Sequence, residues 1–236
     1  MIQQLELTQD SLAIEVASND GYLLKNFVAA GIPCLGIEPT SSTAAAAEKL
    51  GITVIREFFG EQLGKQLAAK GKQADLIGGN NVYAHVPDIN DFTRGLKAAL
   101  KVGGTITLEF PHLVQLLEHT QFDTVYHEHF SYLSLYTVDR IFKVAGLRVW
   151  DVEELLTHGG SLRIYGGHAE DACQTSPAVS AMLAEEARRG LQTLTTYQDF
   201  QSKADRVKDG LLAFLIEQKR AGKKVAAYGA AAKGNT

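Results

Sequence analysis

Cysteine is scarce: Cys34 and Cys173 are the only two, far apart in the sequence. Neither a disulfide framework nor a cysteine-built zinc site fits that spacing, and a reducing cytoplasm is the expected setting. Long hydrophobic runs are missing as well, none approaching the roughly 18 residues that a membrane span requires. The opening MIQQLELTQD has neither the basic nor the apolar region of a secretory signal. Excess positive charge is absent too. A net charge of −4 gives no general affinity for nucleic acid or anionic membranes. No internal repeat or low-complexity segment interrupts the chain. What remains is 236 residues, 45% hydrophobic and 21% charged, enough for one large domain or one domain plus part of a second.

Strand-like and helix-like stretches alternate through the first two-thirds. SLAIEVA, PCLGIEP, ITVIREF, ADLIGGNNV and TITLEFP read as strands. Between them, GYLLKNFVAA, SSTAAAAEKL, GEQLGKQLAAK and the Asp88-capped DINDFTRGLKAAL read as helices. Such alternation predicts an α/β fold, a doubly wound and mostly parallel sheet with helices on both faces. LRVWDVEEL and GGSLRIYGGH follow each other with no crossover helix between them, so they are expected to close the sheet as an antiparallel pair at one edge. That makes seven strands over residues 1–176. A charged, helix-rich connecting segment follows over 177–222. From 223 to 236, KKVAAYGAAAKGNT reads as the opening of a second, truncated α/β domain.

The first strand-to-helix turn, EVASNDGYLL, is where a nucleotide phosphate usually sits. A dinucleotide loop needs several glycines for close backbone approach, and only Gly21 is present here. Asp20 places a carboxylate where a pyrophosphate would lie, opposing it at a helix start. That suits a cationic ligand, or simply a helix cap. Glu38 ends the second strand at the distance expected of a residue that holds ribose hydroxyls. The pair points to a nucleoside without pyrophosphate, and S-adenosylmethionine, with adenosine, a sulfonium cation and an amino-acid end, has that chemistry.

Several long motifs then become specific: EVASNDGYLLKNF, GIEPT, NNVYAHVPDINDF, LKVGGTITLEFPHL, DTVYHEHFSYLS, THGGSLRIYG and AAYGAAAKGNT. Together, from about Leu12 to Thr236, they resemble the S-adenosylmethionine-dependent sugar C-methyltransferases, which act on nucleotide-linked 4-keto-deoxysugars in the biosynthesis of branched sugars. The resemblance implies a Rossmann-like methyltransferase fold. Members also carry an N-terminal cysteine-rich zinc domain, lacking here, and a complete C-terminal Rossmann-like domain, of which only the opening is present. The implied cofactor residues are Glu15, Ala17, Ser18, Asn19, Gly21 and Tyr22 in the first loop, with Glu38 and Pro39 after the second strand. Glu57 and Phe58 of REFF are placed to frame adenine, although Phe58 and Phe59 suit a core equally well. Asn80 and Asn81 either hold the methionine end or close a turn.

TVYHEHFSY is the densest cluster of titratable groups. C-methylation beside a ketone needs a base to remove the α-proton, and histidine titrates near neutral pH. A phenol or second histidine can then hydrogen-bond the developing enolate oxygen. An extended conformation would turn His127 and His129 to one side. A helical one would bring Tyr126 and His129 together instead. The resemblance implies His129 as base, with Tyr126 and Glu128 beside it and His85 orienting substrate. A metal is not expected, since zinc needs three or four ligands and no cysteine or H-E-x-x-H spacing accompanies this cluster. His158 and Arg163 of THGGSLRIYG either face the sugar nucleotide or only shape a hairpin. GAAAKGNT is not an ATP loop, because Lys233 precedes Gly234. The resemblance implies instead that Lys233 helps to hold the nucleotide of the substrate.

Two other readings stay open on the sequence: a cofactor-binding fragment without turnover, and a nicotinamide-dependent oxidoreductase. The single glycine and Asp20 argue against the second. Oligomeric state is not readable from the chain.

Overall fold

The computed structural model describes residues 1–227 and 229. Lys233 and most of the final GAAAKGNT therefore lie outside the described residues. The chain alternates β1 (Ala13–Val16), α1 (Lys25–Ala29), β2 (Cys34–Ile37), α2 (Ser41–Glu48), β3 (Thr53–Ile55), α3 (Glu61–Ala69), β4 (Ala74–Asn80), α4 (Ile89–Ala99) and β5 (Leu100–Pro111). It continues with α5 (Leu113–Glu118), α6 (Leu135–Ala145), β6 (Leu147–Leu155), β7 (Ser161–His168), α7 (Pro177–Arg188), α8 (Thr195–Gln198) and α9 (Phe200–Arg220).

The strands form one seven-stranded sheet in the order β3-β2-β1-β4-β5-β7-β6. β1 to β5 pair in parallel, and β7 runs antiparallel to both of its neighbours. The antiparallel pair expected from the sequence is present at one edge of the sheet. β7 slots in beside β5, leaving only β6 at the edge. The chain order reverses where β1 meets β4, and ligands of open α/β sheets bind at the carboxyl end of such a switch point.

β1 is buried on both faces, as a central parallel strand should be. Its Ile14 and Val16 face a core shared with Leu63 and Leu67 of α3, Phe92 and Leu96 of α4, and Val138 and Phe142 of α6. Ala13 faces the other side, against Leu24, Phe27 of α1 and Ala47 of α2. Asp88 caps α4 by accepting from the Asp91 amide at 2.9 Å, as the sequence predicts. α2 forms where expected but without a side-chain cap. Beyond residue 176 the helices behave differently from one another. Val179 of α7 joins the core of the sheet, while no residue of α9 is buried. Among the described residues, no helix is long and apolar enough to cross a membrane.

Candidate active site

Glu15 lies on β1 between two glycines, paired with Gly36 of β2 and Gly78 of β4. Those glycines leave room around its side chain. A Cβ on Gly36 would come within 2.5 Å of Ser18 Oγ, so the bare backbone there is what seats the first loop. Burial pushes the Glu15 carboxyl up to about 8, with the nearby Asp20 charge adding to the effect. Its Oε2 is buried without a hydrogen-bond partner, and so are Ser18 Oγ and Asn81 Oδ1. Buried polar atoms are normally paired. Three unpaired ones from the ends of β1 and β4 are what a polar ligand at this switch point would satisfy.

The loop after β1 is held in a tight shape. Ala17, Asn19 and Gly21 all adopt positive φ, at 57°, 48° and 81°. Glu38, itself buried, braces the loop by accepting from the Asn19 amide at 3.2 Å through Oε2 and from the Thr40 amide at 2.8 Å through Oε1. A carboxylate has about four lone-pair directions, so two remain for a diol. Asp20 accepts from the Tyr22 amide at 3.2 Å, which makes it a turn-former as well as a negative charge. Pro39 follows Glu38 and is half-buried, Tyr22 and Glu57 are exposed, and Phe58 is 87% exposed. Of the two phenylalanines only Phe59 packs inward, edge-on against Phe92. Phe58 is therefore free to stack on a planar ligand.

Asn81 also has positive φ, 53°, and its amide donates to the Glu109 carbonyl at 2.8 Å. It closes the turn after β4 while its side-chain oxygen stays unpaired. Asn80, by contrast, is exposed. A cavity of about 230 Å³ opens beneath this edge, lined by Glu15, Leu23, Phe27, Asn80, Thr107 and Arg163.

Just past β4, His85 sits in a short 3₁₀ turn (Tyr83–His85). Its ring lies edge-on to His129 at 4.7 Å between centroids, and Tyr126 is also 4.7 Å from His129. The backbone explains this grouping. The His129 amide donates to the Tyr126 carbonyl at 3.0 Å, closing a turn. The amides of Phe130 and Ser131 donate to the Ala84 carbonyl at 2.9 and 3.2 Å, pinning the segment beside His85. Of the two geometries open on the sequence, the structure adopts the one that joins Tyr126 to His129. His127 turns outward and is 70% exposed, with its Nε2 3.9 Å from Glu128 Oε1. The Tyr126 hydroxyl donates to Glu128 Oε2 at 3.0 Å. Partial burial, that bond and the carboxylate charge push the Tyr126 phenol up, so it stays a proton donor near neutral pH. Among the described residues, no group of three or more His, Cys, Asp or Glu could hold a metal ion.

The two remaining expected substrate residues on described elements differ. His158 is exposed, with φ 52°, in the turn between β6 and β7. Gln121 Nε2 reaches from the segment that carries Tyr126 and His129 to the neighbouring Gly159 carbonyl at 2.8 Å. Arg163 has both arms engaged, on Glu109 at 2.9 Å and Glu153 at 3.0 Å. Its charge is neutralised by the protein itself. This network was invisible in the sequence because β7 brings together residues 54 and 10 positions apart. Sequence reasoning also passed over His112 and Glu186, which are fully buried and joined at 2.8 Å. His112 lay within the motif LKVGGTITLEFPHL, whereas Glu186 stood in the charged run AEEARR, where nothing marked one acid from the next.

A seven-stranded sheet with one reversed strand and an acidic residue after β2 defines the nucleoside-binding α/β class. The comparisons are more specific. A profile of the methyltransferase-domain family matches residues 5–152, and one described as a C-methyltransferase C-terminal domain matches residues 156–236. The chain belongs to the methyltransferase-domain family. It is 36% identical over 234 residues to C-methyltransferase NovU of Streptomyces niveus, a match that covers 99% of this chain and 56% of that relative. The chain thus spans about half the length of the curated relative it matches. Among solved structures it is similar to an S-adenosylmethionine-dependent methyltransferase from Clostridium acetobutylicum, with TM-score 0.54 and 10% identity over 71% of this chain and 87% of that one. It is also similar to magnesium protoporphyrin IX methyltransferase from Synechocystis with bound SAH, with TM-score 0.51 and 13% identity over 66% and 73% of the two chains. At such identities the likeness speaks to the fold alone.

Proposed function

We propose that this chain carries the methyl-transfer site of an S-adenosylmethionine-dependent C-methyltransferase whose substrate is a nucleotide-linked 4-keto-deoxysugar. The observation that carries the proposal is the juxtaposition at one sheet edge. Glu15, Ser18 and Asn81 leave buried polar atoms unpaired, and His85, just past β4, is joined by Tyr126 and His129. Support for the class of reaction comes from the relative named a C-methyltransferase. A solved neighbour holds SAH on the same fold.

The cofactor, when bound, supplies an electrophilic methyl group on a sulfonium. Glu38 would accept from the ribose hydroxyls with its two remaining lone-pair directions. Phe58 would cover one adenine face, and Glu15, ionised by a neighbouring cation, would meet the amino-acid end. His129 would take the proton from the carbon beside the ketone, which leaves that carbon nucleophilic toward a methyl group whose sulfur departs as a neutral thioether. Tyr126 would donate its single O–H to the enolate oxygen by turning it away from Glu128, which accepts it in the structure. His85 packs against His129 and limits how the base can turn.

The direct test uses the full-length protein with S-adenosylmethionine ¹³C-labelled in its methyl group and a nucleoside-diphosphate 4-keto-6-deoxysugar. Carbon NMR of the product should show the labelled methyl bonded to carbon. A methyl on oxygen or nitrogen, or no transfer at all, would overturn the proposal.

A further inference from the structure

We infer that Glu186, on α7 and outside the sheet, is a positioning residue for the catalytic turn, acting through His112. The inference rests on the reading of the Tyr126–His129 turn as the site of proton removal. Glu186 is 0% exposed, and three donors converge on its carboxylate. His112 Nε2 lies 2.8 Å and the Leu135 amide 2.7 Å from Oε1, and the Tyr136 amide lies 2.8 Å from Oε2. Leu135 and Tyr136 open α6, where helix amides have no partner within the helix. The N-cap Ser134 satisfies only Thr137. Glu186 supplies what the cap does not, and its charge suits the positive end of the helix.

The geometry around this carboxylate gives it a wider reach. The segment 113–134 leaves the sheet after His112, carries Tyr126, Glu128 and His129, and returns at the start of α6. Both ends of that excursion meet at Glu186. They are further joined by the Leu113 amide, which donates to the Leu133 carbonyl at 2.9 Å. The His112 amide donates to the Gly160 carbonyl at 3.1 Å, which ties the same point to the turn carrying His158. His112 and His129 line one small enclosed space of about 10 Å³, with Ala84 and Tyr132. The hydrogen-bonded base is what anchors the half-exposed Tyr126–His129 turn, so a shift at that base displaces the turn. Catalytic rates are sensitive to misplacement of this size. The first loop, by contrast, is braced by Glu38.

The test compares Glu186→Ala, His112→Ala and His112→Gln in the full-length protein, the glutamine keeping an N–H donor near the position of Nε2. Hydrogen exchange followed by mass spectrometry should show amides of 113–136 exchanging at least tenfold faster in both alanine variants. Amides of 15–40 should be unchanged. With S-adenosylmethionine and a nucleoside-diphosphate 4-keto-6-deoxysugar, kcat should fall tenfold or more, KM for the cofactor should stay within twofold, and His112→Gln should recover most of the rate. Uniformly faster exchange across the sheet would overturn the inference, as would unchanged exchange at 113–136. Local loosening with unaltered kcat would equally overturn it. Should the parent protein transfer no methyl group to this substrate, the functional reading fails, while the exchange pattern still decides whether Glu186 clamps the segment.

Discussion

The two halves of the carboxyl edge are built on opposite principles. Around β1 and β2 the groups are buried and strained. Glu15 is 7% exposed, Ser18 is 2% exposed, and residues at positive φ are locked by the buried Glu38. Around the Tyr126–His129 turn they are half-exposed and pair with one another, with Glu128 and His127 open to solvent. Burying an ionisable group without a partner is costly, so the first half only makes sense if a ligand completes it. The second half has no such cost, because its groups pair with one another and stay open to solvent. On the proposed function, the first half would hold the cofactor and the second would carry the reaction.

The sharpest way to break this comparison is at His129. His129→Asn keeps a polar group of similar size but cannot take up the proton. A positioned base contributes on the order of a hundred- to ten-thousandfold, so methyl transfer by the full-length protein should drop by that factor with cofactor affinity near normal. Exchange of the substrate α-proton with deuterated water should fall in parallel. If exchange survives, the base lies elsewhere, with His127 or Tyr126 next in line.

Next in size comes the cost of Glu15. Its carboxyl titrates near 8 in the folded protein against an ordinary value of 4.5. Folding therefore favours the protonated form. Below pH 4.5 Glu15 is neutral in both states and carries no charge penalty. As pH rises from 4.5 to 8 the unfolded chain releases a proton that the folded one retains, and stability falls by up to about 4–5 kcal/mol. Glu15→Gln should match the parent at acid pH and be the more stable protein at pH 8. Urea unfolding at the two pH values measures this, and equal stabilities at pH 8 would mean that Glu15 is better solvated than its burial indicates.

Glu38 tests whether the cofactor half acts as a unit. Losing a hydrogen bond to a charged partner costs about 1.5–3 kcal/mol, so Glu38→Ala should weaken S-adenosylmethionine binding roughly ten- to a hundredfold. Unchanged affinity in a folded variant would remove Glu38 from the site. The smallest effect is expected at Phe58, where loss of aromatic stacking is worth about 0.5–1.5 kcal/mol. Phe58→Ala should lower affinity severalfold by titration. Its stability should not change, since the ring is 87% exposed.

How far the sequence carried these conclusions also divides along the edge. β1, β2, the Asp88 cap and the acidic Glu38 depend on local pattern, and they could be read directly. The shape of the catalytic turn could not, because it depends on the Ala84 carbonyl, more than forty residues earlier in the chain, accepting from Phe130 and Ser131. For Arg163 the sequence left two roles open, and its place between Glu109 and Glu153 emerges only from strand pairing. The antiparallel pair at one sheet edge was readable, but which of its strands is outermost was not, since only pairing across the sheet sets that.

The central claim is that the buried acids of the first half await a cationic nucleoside. It is tested most directly by calorimetric titration with S-adenosylmethionine and with NAD at pH 7, in two buffers of different ionisation enthalpy. With its carboxyl near 8, Glu15 is mostly protonated at that pH, and a cation beside it should drive the proton off. The expected result is one site for S-adenosylmethionine with release of close to one proton, lost in Glu15→Gln, and no heat with NAD. Binding of NAD in preference to S-adenosylmethionine would contradict the account, as would S-adenosylmethionine binding that is identical in both buffers and in the Glu15 variant.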